Sequence, residues 1–295
     1  MCYNFSIFLG ENAMRFNKIY LEITNRCNLS CSFCPGTKRP PADMSLPDFR
    51  ELLPKLRPYT DYLYFHLMGE PLSHPLLKEF LHFAGEMGFR VILTTNGTLF
   101  REKLPILLGA VALHKVNISL HSFEANSLGA LSLGDYLASC FSLPSERPFI
   151  VSYRLWNGGG ANLQNAKIEA ALHAAFPGEW RRERSGYRLA ENCYLNYGDK
   201  FDWPEAAAGD NGPDGFCYGL RDQLGVLVDG TVVPCCLDHE GSLALGNLHS
   251  KTMEDILASP RAKAIYDGFS GRKRAEDLCR RCGYALRFDS DSRER

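Results

Sequence analysis

"KIYLEITNRCNLSCSFCPG", residues 18–36, is the stretch on which the reading of the chain turns. Its first seven residues alternate polar and apolar positions and are rich in β-branched and aromatic side chains, the pattern of a half-buried strand. The strand runs straight into a loop that carries Cys27, Cys31 and Cys34. Three thiols so close together suit neither disulfides, which take thiols in pairs, nor a closed structural zinc site, which takes four ligands. Soft thiolates at this spacing suit an iron–sulfur cluster, each ligand taking a different iron and one iron remaining free. Zinc with His66 or His121 as fourth ligand is the alternative that the loop alone leaves open.

Working outward, short apolar runs alternate with helical patterns. Further strands are expected at 61–69, 89–95, 115–121 and 148–156, with helices near 47–57, 73–87, 102–110, 124–140 and 161–175. Such alternation implies a parallel sheet built from βαβ units. A sixth strand over 187–197 would complete an α/β fold of the partial (β/α)6 TIM-like barrel type. In barrels of this kind the working groups lie on the loops after the strands. Here "MGEP" ends strand two, "TTNGT" ends strand three and "SLHS" ends strand four, all at that level.

The pattern changes near residue 198. Residues 198–216 are rich in Gly, Pro and Asp and read as a linker or long loop. "DGTVVPCC" (229–236) opens on a two-residue hairpin signal. A helix is expected over 252–269, interrupted at Pro260, and "LCRRC" (278–282) follows. This small hairpin–helix appendage has too little apolar surface to stand alone, so its cysteines are the expected staple. Cys217, Cys235, Cys279 and Cys282 make a closed four-thiol set suited to zinc or iron–sulfur, with Cys236 doubling the second position. The expected organisation is therefore an N-terminal extension (1–17), a barrel (18–197), a linker (198–216), a cluster module (217–288) and a frayed tail (289–295). Met14 offers an alternative start to the extension.

Composition bounds the partners. The 295 residues are 45% hydrophobic and 23% charged, with a formal charge of −1, so neither nucleic acid nor an anionic membrane is suggested. No apolar run approaches a membrane span, and the N-terminus has no basic region or cleavage site of a signal peptide. A cytoplasmic location is expected, where eight clustered cysteines of eleven point to metal rather than to disulfides. Cys2, Cys140 and Cys193 stand apart and read as incidental or buried thiols.

"CNLSCSFC" followed by "MGEP" resembles the radical S-adenosylmethionine (SAM) enzymes. The resemblance implies that Cys27, Cys31 and Cys34 hold a [4Fe-4S] cluster whose free iron is chelated by S-adenosylmethionine. It places Phe33 where the family packs the adenine, and Gly69, Glu70 and Pro71 where it receives the methionine ammonium. Met68 stands where that motif has its first glycine. Asn96 and Ser119 match positions that contact the carboxylate or ribose.

The C-terminal motifs look like the SPASM module or its shorter twitch form. They imply one auxiliary [4Fe-4S] cluster on Cys217, Cys235, Cys279 and Cys282, with Cys235 favoured over Cys236. The implied activity is hydrogen abstraction by a 5′-deoxyadenosyl radical, for a net oxidation of a small metabolite. A maturase acting on a ribosomally made peptide is the alternative, and a non-enzymatic metal protein is the alternative from another class. A flavodoxin- or ferredoxin-type electron donor is implied as partner. Arg154 and Asp202 are the candidate substrate clamp or general base.

Overall fold

The computed structural model describes residues 14–126, 131–205 and 208–289. Residues 1–13 of the expected extension, with the lone Cys2, and residues 290–295 of the expected tail lie outside them. In chain order the first elements are β1 (Lys18–Leu21), α1 (Leu46–Leu56), β2 (Tyr62–Phe65), α2 (Leu77–Glu86), β3 (Arg90–Thr95), α3 (Phe100–Leu108), β4 (Leu113–Ser119) and α4 (Leu133–Phe141). They continue through β5 (Ile150–Gly158), α5 (Asn165–Ala175), β6 (Arg181–Glu183), β7 (Gly186–Ala190) and β8 (Cys193–Asp199). The C-terminal elements are β9 (Gln223–Val226), β10 (Thr231–Val233), β11 (Gly246–Asn247), α6 (Met253–Leu257), α7 (Pro260–Ser270) and α8 (Asp277–Arg280). Among the described residues no helix is long and apolar enough to cross a membrane.

Two compact units divide the chain. One comprises residues up to Asn25, Thr37–Met68 and Phe201 onward; the other comprises Arg26–Gly36 and Gly69–Lys200. In the first, β1 pairs in parallel with β2 on one side and with β9 on the other, and β10 and β11 follow antiparallel. The C-terminal hairpin thus extends the sheet that β1 begins, through the pairs Lys18↔Gln223 to Leu21↔Val226. Ser45 starts α1 by accepting the Asp48 N–H at 3.2 Å, and Phe49 of that helix meets Phe65 of β2 edge to face at 5.9 Å.

In the second unit β3, β4, β5 and β8 run parallel, as expected of βαβ units, and β7 and β6 continue antiparallel. The core holds Phe80, Leu93, Val116, Ile118, Tyr136 and Val151, all fully buried. Tyr153 joins them, with Phe141 of α4 set edge-on at 5.1 Å.

Several boundaries differ from the expectation, each for a local reason. The strand expected over 187–197 is two strands: the chain reverses between β7 and β8 at Asn192, whose φ of 52° is the left-handed conformation asparagine tolerates. The helix expected from 124 begins at Ser132, which caps it by accepting the Asp135 N–H at 3.1 Å. The 73–87 helix divides into a 3₁₀ turn at Pro71–Ser73 and α2. Pro260 does break the C-terminal helix, and becomes the first residue of α7 with Ser259 as its cap. The stretch read as a linker or long loop is irregular, and the buried Arg274 guanidinium donates to its carbonyls at Asn211 and Asp214 and pairs with Asp289 at 2.8 Å.

Candidate active site

The three-cysteine loop is held from three sides within its unit. The Glu70 N–H donates to the Arg26 carbonyl (2.8 Å), and the Asn96 amide donates to Asn28 Oδ1 (2.9 Å). Ser32 N–H donates to the Ala125 carbonyl at 3.1 Å. These anchors stand on the Gly-Glu-Pro turn and on the segments that follow β3 and β4, so the loop, that turn and the Asn96 turn meet within one unit.

Each sulfur of the loop faces an N–H group. Asn126 donates to Cys31 Sγ at 3.0 Å, the Gly36 N–H to Cys34 Sγ at 3.4 Å, and the Asn96 amide lies 4.0 Å from Cys27 Sγ. Burial pushes all three thiols above their ordinary range, and the N–H groups pull the other way. Thiols that are hard to ionise alone, yet are met by donors suited to thiolates, fit a site completed by cations.

Glu70 is the other chemical feature of this unit. Gly69 reaches a φ of 77°, which glycine adopts without strain, and so delivers Glu70 to the start of the 3₁₀ turn. Its carboxylate is 1% exposed and accepts the N–H groups of Leu72 (2.9 Å) and Asn96 (2.8 Å). Burial outweighs those bonds and pushes its pKa up to about 7. A buried carboxylate so poised is matched by a cationic ligand group.

Asn96 is fixed in turn, its carbonyl accepting from Tyr136 Oη at 2.7 Å and its side-chain oxygen from Thr98. Phe33 lies with its ring 4.9 Å from that of His121. His121 is held neutral by burial, its pKa lowered to about 4, and its Nδ1 donates to the Arg154 carbonyl at 3.1 Å. Ser119 sits opposite Arg154 in the β4–β5 register, and the Arg154 guanidinium lies 4.5 Å over the Trp156 ring. His66, the other histidine considered for zinc, packs beside Tyr20 in the first unit, with ring centroids 6.0 Å apart.

The second cysteine set belongs wholly to the first unit. Burial pushes Cys235 well above the ordinary thiol range, and the nearby charges of Cys236, Cys217, Cys279 and Cys282 add to the effect. Cys236 is also raised by burial, to about 11, but it hydrogen-bonds the Tyr20 side chain and packs beside Leu67, Leu227 and Val233. Phe201, Trp203 and Tyr284 line an apolar cluster that holds Cys282, Cys235 and Cys236, a shell that limits solvent access. Arg261 pairs with Glu276 through two bonds of 2.7 and 3.0 Å, fixing the entry to α8, which carries Cys279. Asp202 is exposed, and its visible role is structural: its carbonyl accepts the Gly283 N–H at 3.1 Å beside Cys282. Cys140 and Cys193 are fully buried, as expected of packing thiols.

Sequence reasoning passed over three groups. Glu22, fully enclosed, makes a bidentate pair with Arg39 (2.6 and 2.8 Å) and accepts the N–H groups of Met68 (3.3 Å) and Val228 (3.0 Å). It joins the ends of β1, β2 and β9, and an acid inside an apolar strand was the available signal. Tyr20 and Asn126 had no such signal.

Among the described residues no three cysteine sulfurs lie within 4.8 Å of one another. Tetrahedral zinc, with Zn–S near 2.3 Å, would draw its sulfurs to about 3.8 Å apart. All-sulfur donors and N–H groups aimed at sulfur suit iron–sulfur clusters.

Comparison with known proteins agrees. The model of the radical SAM superfamily matches residues 21–136, and that of an iron–sulfur cluster-binding domain, SPASM, matches 217–283. The S-adenosyl-L-methionine-dependent 2-deoxy-scyllo-inosamine dehydrogenase of Niallia circulans is 21% identical over 278 residues, covering 90% of this chain and 92% of that protein. The tungsten-containing aldehyde ferredoxin oxidoreductase cofactor-modifying protein of Pyrococcus furiosus is 29% identical over 140 residues. That match covers 46% of this chain and 38% of the relative, and the chain spans about a third of the length of most curated relatives it matches. The crystal structure of BtrN in complex with AdoMet and 2-DOIA shares the fold, with a TM-score of 0.60 at 19% identity over 90% of this chain and 92% of that one.

The radical SAM domain binds a [4Fe-4S] cluster and S-adenosylmethionine, and the SPASM domain binds auxiliary iron–sulfur clusters. Residues 21–136 are thus a radical SAM superfamily domain and residues 217–283 a SPASM iron–sulfur cluster-binding domain.

Proposed function

We propose that the chain is a cytoplasmic radical SAM oxidoreductase that oxidises a small metabolite, supplied with electrons by a flavodoxin- or ferredoxin-type donor. The observation that carries this reading is the gathering, in one unit, of Cys27, Cys31 and Cys34 with a buried carboxylate at Glu70. When bound, the cofactors supply one chemistry: reductive cleavage of S-adenosylmethionine to a 5′-deoxyadenosyl radical, hydrogen abstraction from the substrate, and uptake of the remaining electron by an auxiliary cluster.

The chain's residues hold and orient. Cys27, Cys31 and Cys34 present three thiolates, and Glu70 receives the ammonium of the methionine moiety. Gly69 and Pro71 fix that carboxylate, and Asn96 locks the loop through Asn28. Phe33 offers an aromatic face backed by His121, and Ser119 shares its level with Arg154, the candidate clamp. Cys217, Cys235, Cys279 and Cys282 form the auxiliary set. The hydrogen bond that engages Cys236 with the Tyr20 side chain supports Cys235 as the ligand.

The first test is anaerobic reconstitution, with iron and sulfide quantified and 5′-deoxyadenosine measured under dithionite. About eight irons per chain with nucleoside release supports the reading. About four irons with zinc present removes the auxiliary electron acceptor, and no cleavage at all refutes the enzyme. Stimulated turnover by a short peptide rather than by a polyol would overturn the metabolite assignment.

A further inference from the structure

Asn126 lies outside the three-cysteine loop and outside the Gly-Glu-Pro turn, yet its side chain makes two bonds to the loop and a third to the turn after β4. Its Nδ2 donates to Cys31 Sγ at 3.0 Å and to the Ser122 carbonyl at 2.8 Å. Its Oδ1 accepts the Ser30 N–H at 2.9 Å. The bond to Cys31 is shorter than those of the Gly36 N–H to Cys34 (3.4 Å) and the Asn96 amide to Cys27 (4.0 Å); the Ser122 hydroxyl also bonds Cys31 and the Leu29 N–H also bonds Cys27. The carbonyl of the preceding residue, Ala125, accepts the Ser32 N–H, so residues 125–126 grip the loop on both sides of Cys31. The Ser122 carbonyl and the Ser30 N–H together fix the amide's orientation: oxygen to the backbone donor, nitrogen to carbonyl and sulfur.

We infer that Asn126 is a positioning residue of the cluster loop, whose amide N–H sets the reduction potential of the group held by Cys27, Cys31 and Cys34. The inference rests on the cluster reading of those three cysteines. An N–H aimed at a thiolate stabilises the more electron-rich state, so it favours reduction. Outer groups that orient a ligand and tune its basicity act in this manner at metal sites generally. Removing the donor makes the group harder to reduce, and removing the Oδ1 acceptor as well loosens the loop around Cys31. The two effects are separable by substitution.

The experiment is a redox titration of the full-length reconstituted protein followed by EPR, using the signal that changes when S-adenosylmethionine is added. Asn126→Leu keeps the approximate shape and loses both donor and acceptor. Asn126→Asp keeps the acceptor for Ser30 and loses the donor, and serves where leucine prevents cluster loading. The expected result is about a fivefold fall in the reduced-to-oxidised ratio at fixed potential. That corresponds to a midpoint lowered by about 40 mV, at about 59 mV per tenfold for a one-electron couple. An unchanged midpoint in a fully loaded variant overturns the inference, as does a fall in iron content with no shift in the loaded fraction. A wild-type protein with no S-adenosylmethionine-responsive signal overturns the cluster reading itself, which distinguishes that failure from a failure of Asn126 alone.

Discussion

Glu70 gives the sharpest test of the proposed cofactor contacts. Its carboxyl is enclosed, and burial raises its pKa to about 7 against the two backbone N–H groups that favour the charged form. If the ionised carboxylate receives the ammonium of S-adenosylmethionine, binding must first find Glu70 deprotonated. The apparent dissociation constant then scales with 1 + 10^(pKa − pH), and falls about fivefold as pH rises from 6 to 7. The ligand's α-amino group titrates nearer 8, so it stays largely protonated across that interval.

Without ligand the same carboxyl acts oppositely on stability. A raised carboxyl pKa makes the protonated folded state the favoured one. The contribution is present below the unfolded pKa, near 4.3, and is lost as pH rises through 7, a total of roughly 4 kcal/mol. Isothermal titration calorimetry of the reconstituted protein at pH 6.0, 6.5 and 7.0 measures the binding slope. Glu70→Gln should bind weakly and with no slope. A flat wild-type profile, or a slope retained in Glu70→Gln, refutes the ammonium contact.

Three further outcomes are expected. Cys235→Ser should lower the iron content from about eight to about four per chain, whereas Cys236→Ser should leave it unchanged; the reverse pattern would exchange their roles. Glu22→Ala leaves the Arg39 charge and two buried N–H groups without their acceptor, so it should cost about 3 kcal/mol in urea unfolding of the loaded protein. A loss below about 1 kcal/mol would show that this junction does not hold the strand ends together. Gly97→Ala would place a Cβ 2.9 Å from both Cys140 Sγ and Ile118 Cγ2 at a φ of +82°, so the Asn96 turn should shift. A thermal midpoint lower by several degrees is expected, and an unaltered one would refute the close packing.

Much of the candidate site could be read before any coordinates. The cysteine spacing named a soft donor set, and Gly-Glu-Pro one βα unit later named its companion. Both are local in sequence, since a loop of a few residues holds all its donors. Strand and helix alternation was legible for the same reason, because side-chain periodicity is a property of short windows. Element ends were less legible. Asn192 turns the chain between two strands that alternate identically on either side of it, and Ser132 starts a helix several residues later than apolar spacing suggested.

What the sequence by itself determined was the chemistry on offer: three thiols, then an acid at a strand end, then four or five more thiols. Only tertiary structure decided which groups tune and support them. Asn126 reaches Cys31 across 95 residues, and Glu22 accepts the Val228 N–H across 206. The parallel pairing of β9 with β1, the lodging of Cys236 against Tyr20 and the grip of Arg274 on the linker are of the same kind. Such contacts leave no periodic trace, because they are set by packing between segments distant in the chain and by the need to satisfy buried polar groups wherever the fold encloses them.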